Sequence, residues 1–219
     1  MATVITISRE FGSGGRELGK RMADILGYKY YDREIIEAIA KETELDEHYI
    51  EKTLEGGIGA AVFPITFSHS FGYLTQMDSN YITLFACQNK IIKSLPEGGD
   101  CIIVGRCADS LLSQYNPVRV FVYADMKSKI ERCRARAAET EHFTDKQLIR
   151  RIKKIDRARK QTHDMYSPFA WGDKRGYHLC VNTGGMDIKK LAPVAAEYLK
   201  VYIDKMKELS SGNNVSSED

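Results

Sequence analysis

Residues 12–17 read Gly12-Ser13-Gly14-Gly15-Arg16-Glu17, three glycines and a serine closed by a permanent cation. Glycines let backbone N–H groups turn inward, and a guanidinium adds a charge-assisted contact, so such a run can hold an anion. The anion suited to it is a phosphate chain. Laid on the pattern G-x-x-x-x-G-K-[ST], with Gly15-Arg16 on its Gly-Lys pair, the run departs in three places. Glu10 takes the first glycine, Arg16 the lysine, and Glu17 the magnesium-binding hydroxyl. Arg16 keeps the charge but presents a planar fork in place of a compact ammonium. Without a ligand, the same residues form a tight strand-to-helix turn.

Two further groups of residues could work with that loop. Arg106 ends the apolar run Cys101-Ile102-Ile103-Val104-Gly105, and a charge there must face a cleft or a partner. It therefore either grips a phosphate or sits in a structural ion pair. Between positions 150 and 160 lie Arg150, Arg151, Lys153, Lys154, Arg157, Arg159 and Lys160. Most of such a run is a solvated helix face; Arg151, Arg159 and Arg157 are the candidates to close over transferring phosphates. Asp145, Asp156 and Asp164 dilute the positive charge, and no aromatics interleave with it, which argues against RNA. Asp32 can cap a helix opened by Arg33 and can also reach a sugar or base. Phe63, Phe67, Phe71 and Tyr73 either pack or stack on a pyrimidine. No Ser/His/Asp or Cys/His arrangement emerges.

The elements that must position these groups follow from patterning. Thr3–Ser8 is β-branched and short, a buried strand. Leu18, Met22, Ile25 and Leu26 make one helix stripe that Gly27 ends. A short strand over Tyr28–Tyr31 precedes helices over Arg33–Thr43 and, capped by Asp46, to about Glu55. Residues 56–72 lose periodicity, and a helix over Asn80–Leu95 leads to the strand at Cys101. Val118–Tyr123 is the next strand, Met126–Glu139 a helix, and Thr144-x-x-Gln147 a capping box. His178–Asn182 is the last strand; Asp187 opens a helix to about Leu209, with Pro193 expected to kink it or delay its start. Five strands alternating with helices imply a parallel sheet covered on both faces, with ligands at the carboxyl ends of the strands.

At 219 residues and net charge +2, with 43% hydrophobic residues, the chain fits an ordinary globular protein with no bulk pull toward nucleic acid. No apolar run approaches a membrane span, and no secretory leader precedes the first strand. Five cysteines without C-x-x-C or zinc spacing read as reduced thiols, several of them buried. A cytoplasmic location is expected.

The segments Ile7–Arg16, Tyr31-Asp32-Arg33-Glu34, Val104-Gly105-Arg106, Asp156-Arg157-Ala158-Arg159, Trp171-Gly172-Asp173 and Tyr177–Thr183 resemble the cytidylate kinase-like family, relatives of the nucleoside monophosphate kinases. The resemblance implies an α/β, P-loop NTPase-type three-layer fold. It implies one domain over 1–209, with core 1–43 and 80–209, an acceptor-binding arm at about 44–79 and a lid at about 137–175; the polar composition of 210–219 reads as a disordered tail. It places Gly12, Ser13, Gly14, Gly15, Arg16 and Glu17 on the ATP phosphates. Asp32, Arg33, Arg106, Asp156 and Arg157 fall on the acceptor, and Arg16, Arg151 and Arg159 on the transferring group. Cys107 stands where the family has Asp, and Ala38 where it has Arg.

The implied activity is transfer of the γ-phosphoryl of ATP, with Mg2+, to CMP or dCMP. Another small acceptor, or a nucleotide-binding protein that has lost catalysis, are the alternatives. The metal's protein ligand is left open, with Ser13 a second choice. Partners are small molecules, with neither nucleic acid nor membrane, and the chain is a monomer or homodimer.

Overall fold

The computed structural model describes residues 2–55, 71–137 and 143–212. Its order is β1 (Val4–Arg9), α1 (Gly15–Leu26), β2 (Lys29–Tyr31), α2 (Arg33–Thr43), α3 (Glu47–Glu55), α4 (Phe71–Ser94), β3 (Cys101–Val104) and α5 (Ala108–Leu111). It continues with β4 (Val118–Tyr123), α6 (Met126–Arg136), α7 (Asp145–Tyr166), β5 (Leu179–Asn182) and α8 (Ile188–Gly212).

The five strands form one parallel sheet in the order β2-β3-β1-β4-β5. The chain leaves β1 for β2, returns to β3, then crosses to β4 and β5 on the other side. Connections therefore diverge on either side of β1, and the crevice at its carboxyl end is the place where such sheets bind ligands. Register puts Ile7 opposite Val104 on one side and Val120 on the other.

The apolar runs are continuous because both faces of the sheet are covered. Ile5, Ile7, Ile102 and Val104 point to one face, where they meet Leu18 and Met22 of α1 and Ala196 and Leu199 of α8. Val4, Cys101 and Ile103 point to the other, where they meet Ile35 and Ile39 of α2, Ile50 of α3, and Leu84 and Ile92 of α4. Burying each such side chain contributes roughly 1.5–3 kcal/mol. This anchors the strand ends that carry the charged residues.

The structure departs from expectation at several boundaries. α4 begins at Phe71, nine positions before Asn80, because no proline interrupts the chain until Pro96 and the helix propagates through its polar start. Of the expected arm, α3 and the first residues of α4 are helical, and residues 56–70 lie outside the described residues. α6 ends at Arg136, and α8 starts at Ile188 without delay and runs to Gly212. Pro193 lies on its solvent side, where a carbonyl deprived of its partner can be hydrated. Three residues of the expected tail are thus helical, and 213–219 lie outside the described residues. No described helix is long and apolar enough to cross a membrane.

Candidate active site

The loop after β1 is built to leave its backbone toward the cleft. Gly14 caps α1 in the left-handed conformation at φ 82, and a Cβ there would stand 3.0 Å from Ile188 of α8. A side chain at that position would be both strained and crowded. Ser13 is fully buried, and its hydroxyl donates to the Glu10 carbonyl at 2.8 Å, so it turns away from the position of a metal ligand. Thr183, beyond β5, donates its hydroxyl to the Ser13 carbonyl at 2.6 Å and accepts from Arg132 Nη1 at 3.2 Å. Arg132 also donates to the Thr183 and Met186 carbonyls. The loop is thereby clamped from α6 and from the end of the sheet.

The acidic departures from the phosphate-loop pattern are answered by cations. Glu10 Oε2 lies 2.7 Å from the ammonium of Lys129 on α6 and accepts from the Ala124 N–H at 3.2 Å. Lys129, only 4% exposed, also meets Asp156 of α7 at 3.0 Å. The other Asp156 oxygen accepts from the Phe11 N–H at 2.6 Å. Asp156, expected on the acceptor, thus joins α7 to the loop after β1. Glu17 bonds Arg21 and Arg136, both at 3.0 Å, so it braces α1 against α6.

On the other side of β1, Asp32 was expected to cap α2 but makes no capping bond. Its carboxylate takes Arg16 Nε at 2.9 Å and Arg9 at 3.6 Å. Arg16 therefore leans toward the end of β2, within 3.7 Å of Glu51 on α3, while still lining the cleft over the loop. Arg9, last residue of β1, is 8% exposed. Burial, foremost, and then the charges of Arg159, Arg16 and Arg106 push its pKa down, with Asp32 opposing. Arg9 Nε has no hydrogen-bond partner among the described residues. Added negative charge at this point would relieve the crowding of cations.

After β3 the chain makes an unusual turn. Gly105, Arg106 and Cys107 have φ of 75, 60 and 54 in succession. A Cβ on Gly105 would lie 1.5 Å from Arg9 Nη1, at a φ of 75, so a side chain there would be strained and would displace the Arg9 guanidinium. Two non-glycine residues in the left-handed region hold strain of the kind found at functional sites. The Cys107 thiol is buried and its pKa is pushed up to about 12, so it acts as a small hydrophobe.

Two cavities open along this edge. One lies over the phosphate loop, between Gly12, Gly14, Gly15, Arg132, Arg151 and Arg159. The other runs beneath α4 and α7, between Arg9, Arg106, Arg159, Tyr81, Phe85 and Gln88. Arg9 and Arg159 line both. Arg159 donates to the Arg9 carbonyl at 3.1 Å and lies 5.7 Å from the Phe11 ring centroid; Arg151 lies over Phe11 and Phe143. Arg33 is exposed, paired with Glu47 at 3.0 Å, and borders a third hollow with Asp32, Arg16 and Arg106. Arg157 points to solvent and lines none of the three. Phe63 and Phe67, and the side chains of Phe71 and Tyr73, lie outside the described residues. The described aromatic wall is Tyr81, Phe85 and Trp171. Among the described residues no group of three or more His, Cys, Asp or Glu gathers to hold a metal.

Arg9, Lys129, Arg132 and Gln88 are the residues that sequence reasoning missed. A signal existed for two of them: Arg9 ends a buried strand just as Arg106 does, and Glu10 in a phosphate loop demands a countercharge. For Arg132 and Gln88, helix positions in basic or apolar stretches, there was none.

The cytidylate kinase-like family matches residues 4–185. An uncharacterized protein from Eubacterium ventriosum whose structure is solved is 25% identical with TM-score 0.63, the match covering 90% of this chain and 98% of that protein. Shikimate kinase from Bacteroides thetaiotaomicron shares the fold at 14% identity and TM-score 0.52, over 91% of this chain and 99% of its own. No curated protein matches the chain in sequence.

Proposed function

The chain belongs to the cytidylate kinase-like family, and from that premise we propose that it moves the γ-phosphoryl group of ATP onto the phosphate of CMP or dCMP. The observation that carries this reading is that the cleft over the phosphate loop and the cavity beneath α4 share Arg9 and Arg159. A donor phosphate in the first and an acceptor phosphate in the second would meet between these guanidinium groups. Phosphoryl transfer asks a protein mainly for in-line positioning and positive charge on the transferring oxygens. In this reading the loop amides of Gly12–Arg16, with Arg132 and Arg151, hold the donor. Arg106, with Arg9, holds the acceptor phosphate, and Arg16, tethered by Asp32, lines the donor side. Arg159 stands over both and stabilises the transferring group.

Magnesium would enter with ATP as part of the substrate, held by phosphate oxygens and water as this ion ordinarily is. Ser13 is turned inward, and Glu10 and Glu17 already serve Lys129, Arg21 and Arg136, so the protein's contribution lies in the cationic and amide groups of the loop.

The test is ADP release from MgATP with a panel of nucleoside monophosphates and small alcohols. CMP or dCMP should be the productive acceptors. Arg159→Ala should lower kcat roughly 10²-fold with ATP affinity nearly intact. Arg106→Ala should raise the acceptor KM about ten-fold or more and leave the ATP KM unmoved. Tight ATP binding with no turnover on any acceptor would refute the reading in favour of a nucleotide-binding protein. Turnover on an alcohol alone would refute the acceptor.

A further inference from the structure

The cavity beneath α4 has two chemically different ends. Arg9, Arg106 and Arg159 stand at the sheet edge, and α4 presents Tyr81, Phe85 and Gln88 at i, i+4 and i+7, one helix face. The Tyr81 and Phe85 rings stack at 5.8 Å and 12°, and Phe85 stacks on Tyr166 of α7 at 5.3 Å. Trp171, on the same cavity, is held edge-on by Phe121 at 5.2 Å. These contacts fix the rings as walls before any ligand arrives, which spares binding the cost of ordering them. Flat, apolar walls with a few polar groups suit a heterocycle.

Gln88 is the feature that packing does not explain. It is 2% exposed, and its Oε1 has no hydrogen-bond partner among the described residues. Neighbouring positions of the same helix carry Leu84 and Ile92, fully or almost fully buried and apolar. An apolar side chain at 88 would have filled the space without leaving an acceptor unmade, and buried acceptors are ordinarily paired. A carbonyl oxygen that lines a cavity and has no donor among the described residues is accounted for by a donor on the ligand.

We propose that Gln88 reads the base edge of the acceptor, its Oε1 accepting an N–H from the heterocycle while the arginines hold the phosphate at the other end. The inference rests on the nucleotide-acceptor reading above. In CMP the exocyclic amine is the only N–H donor on the pairing edge, so that amine is the group Gln88 receives. Gln88 would then set acceptor specificity, and its buried amide would be retained at a cost to the stability of the unliganded protein.

The experiment compares CMP with the 2-pyrimidinone ribonucleoside monophosphate, which lacks the amine, by calorimetric binding to wild type and Gln88→Met. Wild type should bind CMP at least about ten-fold more tightly than the analogue. Gln88→Met should bind both at the weaker level, with unchanged ATP affinity. Its unfolding midpoint should rise by about 2–4 °C as the unpaired acceptor disappears. Equal affinity of wild type for the two nucleotides would overturn the proposal, and this arm stands even if the variant does not fold. A lowered midpoint with CMP discrimination intact would make Gln88 structural and overturn it too. Affinity for ATP with none for any nucleoside monophosphate would instead fell the proposed function, and the base reading with it.

Discussion

At the scale of single residues, the site depends on one guanidinium threading past one glycine. Arg9 leaves β1, passes over Gly105 and reaches Asp32. Gly105→Ala sets a methyl group where Arg9 Nη1 lies, at a φ of 75 that alanine resists. The left-handed backbone costs about 1–2 kcal/mol and the overpacking about 1–3 kcal/mol more. Denaturant unfolding should therefore register a loss of about 2–5 kcal/mol. The two changes share a contact, so Gly105→Ala combined with Arg9→Ala should cost less than the sum of the single variants. Strict additivity would mean that Arg9 does not occupy the space the glycine leaves. Sequence gave warning of Arg106, since a charge after an apolar run has few places to go. It gave none of the left-handed run through Cys107, because a turn conformation of non-glycine residues is imposed by what packs around them.

Among elements, periodicity located β1, α1, α2, β4 and the Thr144–Gln147 capping box within a residue or two, because each is encoded by neighbours in sequence. The pairings that join elements are not encoded locally. Lys129 on α6 answers Glu10 and Asp156, and Arg132 bonds the Ser13 carbonyl 119 positions away. In sequence α6 reads as a basic, solvated helix, and its buried lysine becomes visible only when the sheet brings it over the loop. Asp156 is the sharpest case, since the family resemblance set it on the acceptor and its contacts set it between α7 and the loop. Asp156→Asn keeps an oxygen for the Phe11 N–H but leaves Lys129 with Glu10 as its carboxylate partner. A half-broken buried ion pair should lower stability by roughly 1–3 kcal/mol, less than the 3–5 kcal/mol of a cation left alone. Because Phe11 borders the cleft over the loop, where the proposed reading seats ATP, the KM for ATP should rise as well. An unchanged unfolding midpoint together with unchanged ATP KM would show that α7 is not coupled to the loop through this carboxylate.

Over the whole molecule, parallel strands bring residues far apart in sequence to one carboxyl edge, and the opposite side of the sheet carries a different sensitivity. His178, just before β5, accepts the Arg119 N–H at 3.0 Å on Nδ1 and stacks on Tyr202 of α8 at 4.9 Å. It thus links the sheet edge to the C-terminal helix. Burial, and then the charge of Arg119, lowers its pKa below the ordinary 6.5. Between its folded pKa and 6.5 the unfolded chain binds more protons at this site than the folded one, so stability rises with pH there. The contribution is complete above 6.5 and is lost as pH falls through the folded value. Asp125, lowered from 3.8 by its Ser128 hydrogen bonds, and Asp164, lowered against its burial by Lys160 and hydrogen bonds, push in the same direction but only in more acidic solution. His178→Gln removes the titration while retaining a side-chain acceptor. Unfolding free energies of both proteins between about pH 5 and pH 7 separate this effect from every other group, since only the difference between the two curves is read. The wild-type advantage should shrink steadily as pH falls below 6.5 and level off above it. A difference that stays constant would mean that His178 titrates alike in both states, and one that grows on acidification would mean that the fold favours its protonated form.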